Sequence, residues 1–197
     1  MALLFFARFM VHFISDHSGV RALVIDGDTI KWYNEKQVWE RMRLFEMDAP
    51  EKGQMCQLGQ EEWACGLAAA LKLQQILYEK GGEGKKIVCT RVKEDRFGRS
   101  LATCFACDPN HPKFPLGVSC IDIGAQMVKE GFAVAFSTIE IQTQSYAEQE
   151  AYAQQHNLGM WAGSFERPEQ WRLRRREGLG DSYSKEAEEK RADERVS

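Results

Sequence analysis

Residues 20–47 read VRALVIDGDTIKWYNEKQVWERMRLFEM. Branched residues crowd 20–25, an Asp-Gly-Asp break follows, and Thr29-Ile30-Lys31-Trp32-Tyr33 resumes an extended pattern up to the turn residues Asn34-Glu35. In 38–47, Val38, Met42 and Leu44 alternate onto one face, so the simplest path is a three-stranded antiparallel meander. Moving outward, the period changes. Trp63, Leu67, Leu71, Leu77 and Tyr78 recur at helical spacing within 60–80, with Gly81-Gly82 as the stop. Residues 85–91 and 100–106 then read as two more strands around the polar segment 93–99. Three strands, a helix and two strands predict a mainly β chain with helices (α+β), an OB-fold of the five-stranded Greek-key β-barrel type.

Two further helices are expected, which makes three α-helices in all. One spans 121–130, with Asp122 as N-cap and Gly131 as stop, and the other spans 144–156, ending at Asn157. Met127, Val128, Phe132 and Val134 are expected in the core, and Met160 and Trp161 return to it. The three prolines of 108–119 make that stretch a loop. The domain thus covers 20–171, between an apolar N-terminal segment at 1–19 and a charged tail at 172–197. Within the tail, Arg172, Arg174, Arg175 and Arg176 suit a solvated, fraying helix, with phosphate contact as the alternative.

Composition bounds the class. A chain of 197 residues with 44% hydrophobic and 28% charged residues can bury one core. Its formal charge of −3 lacks the basic surplus from which a standing nucleic-acid binder gains most of its affinity, so any contact with nucleic acid should be local and transient; the charge neither supports nor excludes a nuclease. Residues 1–14 are too short to span a bilayer as a helix and suit an export signal, an interfacial anchor or a plain apolar segment. Six cysteines fit bridges between sequence neighbours: Cys56–Cys65, Cys89–Cys104 and Cys107–Cys120. Free buried thiols, or zinc at the C-x-x-C of Cys104 and Cys107, are the alternatives. Bridges imply a periplasmic or secreted protein, and their absence a cytoplasmic one.

Three clusters carry chemistry. Asp26 and Asp28 flank Gly27, which places two carboxylates on one face of an extended chain; the bland alternative is a solvated D-G turn. Arg43, Asp48 and Glu51 surround a strand end stopped by Pro50, where a salt-bridged terminus is the alternative. Arg96, Phe97 and Arg99 lie in the turn of residues 95–99 and offer two guanidiniums and an aromatic ring, a set that suits phosphate plus base but also an exposed turn with Gly98 in a left-handed conformation.

Together the order VIDGDTI (24–30), MRLFEMDAPE (42–51), EDRFGRSLA (94–102), QMVKEGFAVAF (126–136) and LGMW (158–161) resembles the staphylococcal nuclease-like (thermonuclease) family over roughly residues 20–165, most of all its bacterial exported relatives. The resemblance implies a metal-dependent nuclease that leaves 3′-phosphate ends. It implies Ca2+, with Mg2+ tolerated, held by Asp28, Asp48 and the carbonyl of Ala49, with Asp26 behind them. Glu51 falls at the family's general-base position, and Arg43 and Arg99 at its two phosphate-gripping positions. Arg96 and Phe97 would touch substrate. Phe97 stands where the family often carries tyrosine, and Ser137 and Ile139 stand where its stacking tyrosines are expected. DNA or RNA is the implied substrate. No small-molecule organic cofactor and no obligatory protein partner are expected, and membrane association only through residues 1–14. The rival is a non-catalytic nucleic-acid-binding OB module, which would usually lack the acidic ligands and the base.

Overall fold

The computed structural model describes residues 14–15, 21–33, 38–81, 86–95, 98–107, 120–136 and 146–178. Arg96, Phe97, Ser137, Ile139, the loop 108–119 and most of the two terminal segments lie outside the described residues.

A two-residue strand, β1 (Ile14–Ser15), pairs with β2 (Arg21–Val24). With β3 (Thr29–Tyr33) and β4 (Trp39–Leu44), β2 forms the expected antiparallel meander. Met42 and Leu44 face the core, and the alternation turns Arg43 the other way. Val38, expected on the same face, precedes the strand and is exposed. After a tight turn the chain makes β5 (Met47–Asp48), both residues buried, and Pro50 follows it.

The next stretch departs from expectation. Residues 60–63 are not helical: β6 (Cys56–Leu58) and β7 (Glu61–Trp63) form a hairpin around Gly59, whose φ is 63°. The helix α1 (Cys65–Gly81) starts only after it, ending at the expected glycine. Its buried stripe is Ala69, Ala70, Leu73, Ile76 and Leu77, while Leu71 is 51% exposed. The stripe follows the alanines because they let the helix approach the sheet closely; each fully buried leucine adds roughly 2 kcal/mol.

Then come β8 (Lys86–Glu94), β9 (Ser100–Cys107) and β10 (Cys120–Asp122). β8 and β9 are antiparallel, and β9 lies parallel beside β4, Arg43 opposite Leu101. Strand order β1-β2-β3-β4-β9-β10, with β8 on the other edge of β9, curls the sheet into the half-barrel of an α+β OB-fold. Gly98 turns the β8–β9 link at φ 71°.

The helix α2 (Ile123–Lys129) is capped by Asp122, whose Oδ1 accepts the Ala125 N–H at 3.0 Å. Its own Met127 and Val128 are fully buried. β11 (Val134–Ala135) pairs with β5, setting Val134 opposite Asp48. α3 (Ala147–Gln155) ends just before Asn157, at φ 51°, and a 3-10 turn at Gly159–Ala162 returns Met160 to the core.

A fourth helix, α4 (Pro168–Arg176), takes the described total above the three expected. All four arginines of the cluster therefore lie on a helix, as expected, and Arg175 and Arg176 are exposed on it. Arg172 and Arg174 are not solvated: Arg172 pairs with Asp48 and Glu51, and Arg174 with Glu166. Trp171 is half-buried, and Arg175 lies 4.9 Å above its ring.

All six cysteines are bridged as expected, Cys56–Cys65, Cys89–Cys104 and Cys107–Cys120, which removes the zinc alternative. No helix among the described residues is long and apolar enough to cross a membrane.

Candidate active site

The Asp-Gly-Asp break folds as a tight turn between β2 and β3. The Asp28 N–H donates to Asp26 Oδ1 at 3.0 Å, and the Ile25 N–H to the Thr29 carbonyl at 2.9 Å. Asp26 thus braces the turn that aims Asp28. Gly27 is required by space: a Cβ there would lie 2.7 Å from the Cβ atoms of both Ala49 and Ala69. That close approach packs the turn against α1 and against the residue following Asp48.

Asp28 and Asp48 converge. Both are buried, at 3% and 1% exposure. One guanidinium joins them: Arg43 donates through Nη1 to Asp28 Oδ1 at 2.7 Å and through Nη2 to Asp48 Oδ1 at 2.6 Å. Asp28 also accepts from the Thr29 hydroxyl at 2.8 Å and, on Oδ2, from the Ala49 N–H at 3.2 Å. Register explains the meeting. Thr29 pairs with Arg43, and the turn at Phe45-Glu46 brings β5 back beside the Asp-Gly-Asp loop. Burial pushes the Asp28 carboxyl up to about 6; the charge of Arg43 pulls it down, and Asp26 pushes it up again. Burial also works against the charge of Arg43, but Asp28 and Asp48 outweigh it and raise its pKa.

Glu51 sits on the loop after Pro50, its side chain 32% exposed. The loop rests on the start of α1, where a Cβ on Gly66 would fall 1.7 Å from the Glu51 carbonyl oxygen, so only glycine fits. Arg99 is held by Asp95, which accepts from Arg99 Nε at 2.7 Å and from its N–H at 2.9 Å. Arg99 does not touch Asp28 or Asp48 in the contacts described, yet it lines the same open groove, of about 1530 Å³, as Arg43 and Glu51.

Two participants escaped sequence reasoning. Arg172 reaches both Asp48 and Glu51. Gln54, fully buried, accepts from the Glu51 N–H and donates to the Glu166 carbonyl. Pro168 carried an unused signal. Proline is favoured at the first helical position, and a helix begun there puts Arg172 on its buried face, one turn later.

The donor set suits a hard divalent cation. Four carboxylates, of Asp26, Asp28, Asp48 and Glu51, stand against two guanidiniums, and oxygen donors match calcium or magnesium. Among the described residues no three His, Cys, Asp or Glu side chains form a metal cluster.

A family model, staphylococcal nuclease homologue, matches residues 41–163, more than half of the chain. The chain belongs to the staphylococcal nuclease family. The match takes in Arg43, Asp48, Glu51 and Arg99, while Asp28 precedes it. Curated relatives agree. A micrococcal nuclease of Shigella flexneri is 30% identical over 80% of this chain and 82% of its own length. An uncharacterized endonuclease of Haemophilus influenzae is 27% identical over 81% of this chain and 75% of its own. A succinoglycan biosynthesis protein of Rhizobium meliloti is 29% identical over 72% of this chain and 63% of its own. Membership and the names of the first two relatives support a nuclease function and a nucleic-acid substrate.

Proposed function

We propose that the chain is a calcium-dependent nuclease, tolerant of magnesium, that hydrolyses phosphodiester bonds of single-stranded or loosened DNA or RNA. The observation that carries this reading is the convergence of buried Asp28 and Asp48 on the one guanidinium of Arg43. Asp28, Asp48 and the Ala49 carbonyl would hold the ion, with Asp26 bracing the loop. When bound, the ion supplies positive charge for the phosphate oxygens and a site for water. Arg43 and Arg99 would grip the phosphate, because a planar fork can hold two oxygens at once. Arg96 and Phe97 would contact the substrate beyond it.

Glu51 accepts one proton from the attacking water. The new bond joins the water oxygen to phosphorus, and the bond to the 5′ oxygen breaks. That oxygen leaves as a hydroxyl after taking a proton from solvent, and the phosphate stays on the 3′ side. The three disulfides support an oxidising compartment, periplasmic or outside the cell.

The test uses purified protein and denatured DNA, with calcium and with chelator. Cleavage is expected only with metal. Glu51→Gln and Arg99→Ala should each lower the rate by roughly 10²–10⁴-fold while leaving the melting temperature near that of the parent. Unchanged turnover in both variants would remove the role assignment. Binding without cleavage under every metal condition would favour the non-catalytic OB module instead.

A further inference from the structure

α4 brings a guanidinium that the hydrolysis as described does not use. Arg172 donates through Nη1 to Asp48 Oδ1 at 2.9 Å and to Glu51 Oε1 at 3.1 Å, and through Nη2 to Asp48 Oδ2 at 2.8 Å. One planar group therefore spans both acids. A lysine ammonium could meet one of them as a point charge but could not hold this three-oxygen plane.

The root of α4 is fastened to the same loop by a second route. Gln54 Oε1 accepts the Glu51 N–H at 3.3 Å, and its Nε2 donates to the Glu166 carbonyl at 2.6 Å. Arg174 clasps both carboxylate oxygens of Glu166, and Arg167 reaches the Ala135 carbonyl and Glu150. Pro168 is buried at the helix start. Arg172 is thus presented from a helix tied down on both sides of it. The Glu51 side chain itself is 32% exposed, between buried Pro50 and exposed Lys52 and Gly53.

We propose that Arg172 is a positioning residue that fixes the Glu51 carboxylate relative to Asp48, so that proton acceptor and metal-binding carboxylate are ordered before substrate arrives. This rests on the nuclease reading. A base that must meet a water held beside the metal loses rate when it wanders, and a 1 Å misplacement costs about 100-fold. The opposite role, in which Arg172 competes with the divalent ion for Asp48, differs in what it requires of metal affinity.

The experiment compares the parent with Arg172→Met, Arg172→Lys and Glu51→Gln, singly and with Arg172→Met combined with Glu51→Gln. Denatured DNA is the substrate, and calcium binding is followed by calorimetry. Arg172→Met should lower kcat about 10–100-fold with KM near the parent value. Arg172→Lys should recover only a minor part. In the Glu51→Gln background, Arg172→Met should add no more than about a twofold loss, because it acts through Glu51. Calcium affinity should be unchanged or weaker. Thermal melting identifies a variant that fails to fold, and Arg172→Lys is then read in place of Arg172→Met. Parental kcat in Arg172→Met, full additivity with Glu51→Gln, or tighter calcium binding would each overturn the proposal while leaving the nuclease reading intact. A parent that does not cleave with calcium would sink that reading and this proposal with it.

Discussion

Asp28 is a carboxyl held where a carboxylate is poorly solvated. Burial raises its pKa, Arg43 lowers it and Asp26 raises it, leaving it at about 6 against the ordinary 3.8. The folded state therefore holds this proton more tightly than the unfolded chain does. The resulting stability is fully present below about pH 4 and is lost as pH rises through about 6. A shift of two units corresponds to on the order of 3 kcal/mol. In metal-free buffer, the stability of the parent minus that of Asp28→Asn should fall between pH 4 and pH 6 and then level off. Chemical denaturation across that range measures it. A difference that stays flat over that window, with any rise confined below about pH 4, would mean that Arg43 holds Asp28 as a carboxylate, and the account of this site would need to be rebuilt around the ion pair.

Elements explain why some of this was legible in the chain and some was not. The meander and the β8–β9 pair were readable because alternation sets which face a side chain takes, so that Met42 and Leu44 face the core and Arg43 faces the opposite side, toward Asp28 and Asp48. The Asp122 cap and the Asp-Gly-Asp turn were readable because both are local hydrogen-bond patterns. The β6–β7 hairpin was not, because strands of three residues carry too little periodicity to compete with a neighbouring helix. Arg172 was missed for another reason. Its partners lie 124 and 121 residues earlier, and a run of arginines looks solvated until the carboxylates that face it are known. The cysteine pairs follow sequence proximity. Cys56–Cys65 joins β6 to the first residue of α1, next to the glycine on which the Glu51 loop rests. With a sequence separation of 9, losing this crosslink should cost roughly 2–3 kcal/mol, measured on a Cys56→Ser and Cys65→Ser double variant by denaturant titration. Intact mass should rise by six hydrogens on full reduction by a thiol reductant, two for each of the three bridges. No change in mass would reject the bridges and the oxidising compartment together.

At the scale of the whole molecule, charge separates an enzyme from a standing binder. The formal charge is −3, and the groove mixes Arg43, Arg99, Arg172 and Arg176 with Glu51 and Asp95. Among the described residues of the groove, these and the further cations Arg41, Arg91 and Lys93 are interspersed with Glu40, Glu46, Glu94 and Glu169, which limits how many counterions a bound strand could displace. If Arg43 and Arg99 are the two phosphate contacts, the logarithm of affinity for single-stranded DNA should fall against the logarithm of salt with a slope of about −1.4. Between 50 and 200 mM salt that is a loss of about sevenfold, whereas six or more contacts would give a slope near −4 or steeper. The Glu51→Gln protein with calcium is the right material, because it holds substrate while cleaving it slowly. Fluorescence anisotropy across that salt range reads the slope directly. Changing Arg99 to Ala should flatten it by about 0.7, the share of one phosphate. A steep slope that Arg99→Ala leaves unaltered would place the main contacts elsewhere on the surface, and the groove lined by Arg43, Glu51 and Arg99 would lose its claim to the substrate.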